Sequence, residues 1–419
     1  MEELREKYFF IILSAIPISI IAGSAVSVIN IFILTISFLI FSLTKKKQIF
    51  LFNNTIYLLL ILYAYLIINS LMSIDIKIGV FRNLGFLRFF VLFIAINYFF
   101  FYFKNFDNIF KIFLIVLTIL AVDIFIQKFT GENILGFKPE NPHRMTGFFN
   151  EERIAGAYIL GFFFPTLGYF LTKNNFKIFN INFIFVIFIL LFIAIILTGE
   201  RSNSIKALLG IFIFLFFSNH FKLKEKIISF LLLFSFLLIS YFNSEALYFR
   251  YGTLIFNNFS SIKKIKTFYN KSLYFKLYNS GFEVFKKNPF LGVGNKNYRI
   301  ETCIHNDNKE SINIEKINPL YVCNTHPHQI YIELLAEHGL IGFFIIIGIL
   351  FYLTFRLLKK IMLSKNYTQF GCLIYILLVF VPLLPSGSFF SNFNATLFWI
   401  NFSLMYAVNY KTNIYYKIL

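Results

Sequence analysis

In the stretch NTHPHQIYIELLAEHGLIGF (Asn324–Phe343) two histidines flank a proline, and Glu333 and Glu337 follow closely. A neutral imidazole can take a proton from an attacking hydroxyl, and modest changes of surroundings decide its charge near neutrality. Thr325 or His326 is expected to cap a helix, with Pro327 at its first position, where a missing N–H costs nothing. His328 then falls in the first turn, where the positive helix end disfavours imidazolium and keeps the ring neutral. Glu333 and Glu337 are four apart and share one helix face. Metal binding is the rival use of His326 and His328, but a site needs a third ligand, and His305 is the only other histidine in the preceding loop. The residues favour a capping role for His326, proton transfer for His328 and a structural place for His338.

The elements that hold these residues are apolar. The chain is 58% hydrophobic over 419 residues, too apolar for a soluble core of this size. Runs near 20 residues recur, each long enough to cross a hydrocarbon layer. They predict an all-α polytopic membrane protein with about twelve spans, at 8–22, 25–43, 49–71, 84–103, 108–127, 152–172, 178–197, 202–218, 227–243, 330–355, 367–385 and 388–408. Nothing near the start resembles a signal cleavage site, so the first span is read as retained. Three regions follow: 1–243 with nine spans and an outer segment at 128–151, a large outer loop at 244–329, and 330–419 with the last three spans. With both termini inside, the inner loops carry Lys45–Lys47, Lys104, Lys173, Lys177, Lys222, Lys224, Lys226, Arg356, Lys359 and Lys360, as positive-inside bias requires. The +19 formal charge is then topology plus one large loop, and no nucleic-acid partner is needed to explain it.

Arginine departs from that bias. Arg82, Arg144, Arg153, Arg201, Arg250 and Arg299 all fall outside, with Arg88 close by, while only Arg5 and Arg356 lie inside. Guanidinium forks match phosphate oxygens bidentately, so an outer site for a phosphorylated substrate is the simplest cause. Within 244–329, Leu273, Leu277, Tyr278, Gly281, Phe282 and Phe285 recur at helical spacing. They predict an amphipathic helix, either on the membrane surface or packed on a small core of the loop. The glycine-bearing turn NPFLGVGNKNYR is too irregular for a dinucleotide site. Cys303 and Cys323 share this loop, and an oxidising exterior would permit a bridge, coincidence being the alternative.

Even-numbered spans run from outside to inside, so their N-terminal N–H groups and positive dipole ends face out. Spans 6, 8 and 10 open after HRMTGFFNEER, LTGERSNS and NTHPHQ, each with Arg or His beside a potential cap: Asn150, Ser202 or Asn203, and Thr325. Helix N-termini bind anions, and three that converged would hold a diphosphate.

The segment HPHQIYIELLAEHGLIGFF resembles the signature of the O-antigen ligase and polymerase superfamily, and HRMTGFFNEERIAGAYIL, LTGERSNSIKALLG and NPFLGVGNKNY support it in order. The resemblance implies a GT-C-like membrane glycosyltransferase, free of metal and cofactor, with its active site on the periplasmic face of the bacterial inner membrane and both termini cytoplasmic. Its donor would be an undecaprenyl-diphosphate-linked glycan, its acceptor lipid A–core or another glycan, and its surroundings membrane lipids. By motif position His328 matches the family's histidine and Arg201 its arginine after the seventh span; both are expected to be catalytic. Arg250, Arg144, His326, Gln329, Glu333 and Glu337 are the expected substrate-binding residues. Two departures stand out. Gln329 occupies the usual place of Asn, and the arginine expected shortly before the P-x-x-G-x-G turn is missing, so Arg250 or Arg144 would serve as the second diphosphate ligand. The implied reaction is an inverting displacement, with His328 as base and Arg201 on the leaving group. A polymerase of the same superfamily is the alternative, and a lipid-linked glycan transporter without chemistry is the rival of another class.

Overall fold

The apolar runs become helices that start where a polar side chain can satisfy the first N–H groups. Asn53 Oδ1 accepts from the Thr55 and Ile56 amides at 3.0 and 3.1 Å, Asp75 from Ile78 at 3.0 Å and Asn366 from Gln369 at 3.0 Å, as capping predicts. The computed structural model describes residues 2–44, 53–173, 181–218, 222–228, 271–307 and 319–416, with isolated residues between 231 and 268. In chain order the helices are α1 (Glu2–Ser14), α2 (Ile16–Ile21), α3 (Ser24–Thr44), α4 (Asn54–Leu71), α5 (Ile76–Tyr102), α6 (Ile109–Thr130) and α7 (Ala155–Lys173). There follow α8 (Ile181–Leu197), α9 (Arg201–Phe217), α10 (Leu273–Lys287), α11 (Tyr298–Asp307), α12 (Ile330–Ser364), α13 (Tyr367–Val379) and α14 (Asn392–Ala407).

The protein is an all-α polytopic membrane protein: no strand occurs among the described residues, and six of the helices, counting α6 with the short turn before it, are long and apolar enough to cross a membrane. The expected first span is α1 and α2 together, the span at 227–243 lies largely outside the described residues, and the others each coincide with a helix.

The most buried of the long helices is α7, which packs against α13 and α8. Pro165 sits inside it and deprives the Gly161 carbonyl of its usual donor. Asn401 Nδ2 from α14 supplies the missing hydrogen bond at 2.8 Å, so an apolar interior keeps no orphan acceptor there.

The other break in a long helix shapes the site. α12 is bent at Gly339, whose backbone is left-handed (φ 62°, ψ −168°). The bend removes the bonds that the amides of Leu340 and Ile341 would make to the carbonyls of Ala336 and Glu337. The loop Pro289–Gly294 replaces both pairs. Leu340 N–H donates to Pro289 O at 2.8 Å and Ile341 N–H to Phe290 O at 3.1 Å, while Ala336 O accepts from Val293 at 3.0 Å and Glu337 O from Gly294 at 2.8 Å. The glycine-bearing turn thus completes a broken helix. A side chain at Gly339 would collide with the Phe290 backbone, and one at Gly292 (φ 69°) with the backbone of Glu337 and His338. The turn is tied down in turn by Asn69, whose Nδ2 donates to Leu291 O at 3.0 Å and whose Oδ1 accepts from Asn295 at 3.0 Å.

The helix predicted from the periodicity of the large loop is α10. Its buried face of Leu277, Ser280, Gly281 and Val284 lies on the start of α12, with Gly281 against Pro327 and Ile332. Val284, Val293, Tyr298 and Ala336 form a small core of their own, with Tyr321 packed against it. Cys303 and Cys323 are joined as a disulfide, with 4.6 Å between their Cα atoms.

Replacing Gly339 by alanine forces a Cβ into a left-handed position against backbone, a strain of about 2 kcal/mol or more. Gly339→Ala is expected to lower the melting temperature in detergent well below that of Gly348→Ala, where a Cβ meets open space; equal melting temperatures would show that the bend is not needed.

Candidate active site

The helix carrying the histidines starts later than its sequence predicts. Gln329, not Thr325 or His326, is the N-cap of α12, and its Oε1 accepts from the Ile332 amide at 2.9 Å. Pro327 therefore precedes the helix instead of opening it, and His328 lies outside the first turn. The cause is local: a glutamine side chain long enough to reach N–H groups three residues on releases the residues before it. His328 takes a left-handed backbone (φ 57°), rare for a side chain of this size, and its carbonyl accepts from Ser386 at 2.9 Å. The ring is thereby presented on a bend beside the bundle, 4.0 Å from the His326 ring and 6.0 Å, edge-on, from Tyr274 of α10.

Both rings are held neutral. Burial, then the neighbouring His326, pushes His328 down to about 4, against the opposing pull of Glu333. Burial and then Lys296 push His326 down to about 4. His326 Nδ1 lies 2.9 Å from Thr325 Oγ1. A neutral His328 at physiological pH is competent to accept a proton.

Glu333 and Glu337 both point into the bundle and are fully buried. Their oxygens are largely engaged by the protein itself. Glu333 accepts from the Ser388 hydroxyl and, at 3.0 Å, from the Phe389 amide, with Lys296 Nζ at 3.8 Å. Glu337 Oε1 accepts from the Tyr298 amide at 3.4 Å, the first residue of α11, while Oε2 has no hydrogen-bond partner. The pair therefore anchors the 388–389 turn and the start of α11 to α12, the helix that follows His328.

The other two helix starts meet at one carboxylate. Glu200, the N-cap residue of α9, turns its side chain to α7: Oε1 accepts from the Gly156 amide at 2.7 Å, and Oε2 accepts from Ala157 at 3.2 Å and from Asn203 Nδ2. Burial pushes its carboxyl up to about 7 against the Gly156, Asn203 and Ala157 donors. The N-termini of α7 and α12 are thus capped by Glu200 and Gln329, whereas α9, which opens on Arg201, has no side-chain cap. The first turns of all three line one cavity through Ala157, Asn203 and Ile330, closed by α13 and by Pro385–Gly387. The convergence that the sequence could only pose as a question is present.

Arg144 joins this group. Its segment is pinned by Met145 N–H donating to Leu197 O at 3.2 Å and by Gln127 Oε1 accepting from Thr146 and Gly147 at 2.8 and 2.9 Å. Burial, then Arg153, lowers its pKa, with Tyr274, Arg201 and Glu200 also within electrostatic reach. Arg144 and Arg201 accordingly share a locality with Tyr274, whose ring touches His328. Arg250 lies outside the described residues. The remaining arginines of that face separate by use. Arg153 pairs with Glu140, and Arg88 stacks over Phe32 and Phe89 and donates to Asn392 at 3.0 Å. Arg82 and Arg299 line, with Lys296 and Thr325, a second cleft of about 650 Å³ that has no acidic residue in its lining.

The fold and site define a membrane protein whose polar centre is built from helix N-termini, arginines and a neutral histidine. Residues 186–347 match the family model described as O-antigen ligase, and this places that stretch in the O-antigen ligase and polymerase superfamily that its motifs resemble. The match holds Arg201, Arg250 and His328 and ends beyond the bend of α12; HRMTGFFNEER lies before it. No curated protein matches the chain.

Sequence reasoning passed over Glu200, Lys206, Tyr274 and Ser386. Glu200 and Lys206 stand inside a motif whose arginine and potential caps Ser202 and Asn203 draw the reading, and a lysine within an apolar run is the available signal. Tyr274 and Ser386 gave none, because their places depend on contacts distant in sequence.

The folded pKa of Glu200 lies above its unfolded value, so its contribution to stability is present below pH 4.5 and is lost as pH rises through about 7. Between pH 5 and 8 the wild type is expected to lose melting temperature relative to Glu200→Gln. A difference independent of pH, or one growing with pH, would contradict the buried carboxyl.

Proposed function

We propose that this protein is a glycosyltransferase of the O-antigen ligase type, transferring a glycan from undecaprenyl diphosphate to a hydroxyl of lipid A–core at the periplasmic face of the inner membrane. The observation that carries this reading is the cavity bordered by the first turns of α7, α9 and α12, with Arg201 opening α9 and His328 immediately before the cap of α12. A phosphate placed there meets uncapped N–H groups and the positive end of α9, an arrangement that attracts anions.

In the proposed step, His328, neutral on its bend, accepts the acceptor hydroxyl proton as that oxygen forms a bond to the anomeric carbon. The bond from that carbon to the phosphate oxygen breaks, and its electron pair leaves with the diphosphate, where Arg201 and Arg144 offset the growing charge. Attack and departure occur on opposite faces of the sugar. His326 and Tyr274 hold the His328 ring by contact, and Gln329, Glu333 and Glu337 position the helix that follows it; conservative replacement of any of these three is expected to have a smaller effect than replacement of His328.

The cleft of Arg82, Lys296 and Arg299 suits a phosphorylated acceptor, which is lipid A–core in the ligase reading and a lipid-linked repeat in the polymerase reading. Chain polymerisation would use the same chemistry with a different acceptor.

His328→Ala and Arg201→Ala, inserted and folded like the wild type, are each expected to lower transfer about 100-fold or more. Glycan transfer is measured on purified protein, and the host deletion is examined by lipopolysaccharide gel. Loss of the O-antigen ladder with accumulation of full-length lipid-linked chains is the expected phenotype. Core bearing a single repeat would indicate a polymerase, and normal transfer by both variants would overturn the site.

A further inference from the structure

Lys206 lies a turn and a half along α9 from Arg201, about 7.5 Å deeper into the bundle at helical rise. It is only 6% exposed, and among the described residues neither a hydrogen bond nor an ion pair reaches its ammonium. A lysine in that state is unfavourable in an apolar bundle unless something supplies the opposite charge. Its side chain lines the cavity of about 90 Å³ at the three helix starts. Ser386 lines the same cavity, and its buried hydroxyl has no hydrogen-bond partner among the described residues. Asn203 completes the polar wall. A free ammonium, a free hydroxyl and an uncapped helix start therefore face one space of the size of a phosphate group.

We propose that Lys206 and Ser386 form the seat for the lipid-proximal phosphate of a polyprenyl diphosphate, with Arg201 above it on the sugar-proximal phosphate. The assignment rests on the donor reading given above and extends it. A polyprenyl chain must lie among the apolar helices while the glycan stands at the bundle end with His328, so the phosphate next to the lipid is the deeper of the two. Lys206 is at that depth and Arg201 is not. Ser386 links the seat to the base, because its amide donates to the His328 carbonyl at 2.9 Å.

The test is an equilibrium titration of the full-length protein in detergent with undecaprenyl diphosphate, undecaprenyl monophosphate and inorganic pyrophosphate. Lys206→Met is expected to weaken both lipid phosphates about tenfold or more, and Lys206→Arg to restore most of the binding. Arg201→Ala should weaken the diphosphate but spare the monophosphate, whose one phosphate sits beside the lipid. Removing an uncompensated buried charge should leave the melting temperature of Lys206→Met unchanged or higher, whereas a lysine with a purely structural role would lower it. Wild-type affinity for the lipids in Lys206→Met, or a lowered melting temperature in that variant, overturns the seat while leaving the donor reading intact. Pyrophosphate binding as tightly as the lipids, with the same dependence on Lys206, overturns the lipid assignment in favour of a free-anion site. Failure of the wild type to bind any of the three overturns the donor reading, and the seat with it.

Discussion

The exchange of backbone hydrogen bonds at Gly339 is the constraint on which the rest of the site depends. A membrane helix cannot leave two amides and two carbonyls unpaired in its middle, since each would cost several kcal/mol in hydrocarbon. Pro289–Gly294 takes all four, and that makes the break affordable. Because the first nine residues of α12 can then tilt separately from the long apolar remainder, Gln329, His328 and the histidine-bearing bend are set by contacts at the bundle end, not by the direction of the span. Glu333 and Glu337 reinforce the arrangement from within, binding the 388–389 turn and the start of α11 to the short segment.

A second division of labour follows from charge. Three helices present their positive ends to one cavity, and the protein satisfies two of them itself, with Glu200 on α7 and Gln329 on α12. Only α9 is left without a side-chain cap, and it is the helix that carries Arg201 at its start and Lys206 inside. An anion drawn to this end of the bundle finds its strongest partners along one helix, while the neutral His328 remains free of that charge. In the proposed reaction, leaving-group binding falls to α9 and proton transfer to the bend just before α12, whose starts share a wall.

Much of this was legible in the sequence, where it depended on local pattern. The spans follow from apolar run length and α10 from the spacing of Leu273, Leu277, Gly281 and Phe285. The start of α12 was misplaced because Thr325 and Pro327 are good helix openers in isolation, yet Gln329 caps more effectively once Ser386 holds the His328 carbonyl. The glycine-bearing turn was read as irregular because its purpose lies in a helix some forty residues away. Glu200 shows the same limit: nothing adjacent to it reveals that its carboxylate serves the N-terminus of α7 and not its own helix.

The proposed reaction is a single displacement, with His328 removing the acceptor proton on one face of the sugar while the diphosphate departs from the other. The measurement that tests it most directly is the anomeric configuration of the new linkage, read by NMR of the product formed from a donor of known anomer. Inversion of the configuration in the donor is the predicted result. Retention would require an intermediate attached to the protein or two successive displacements, and would contradict the role given to His328.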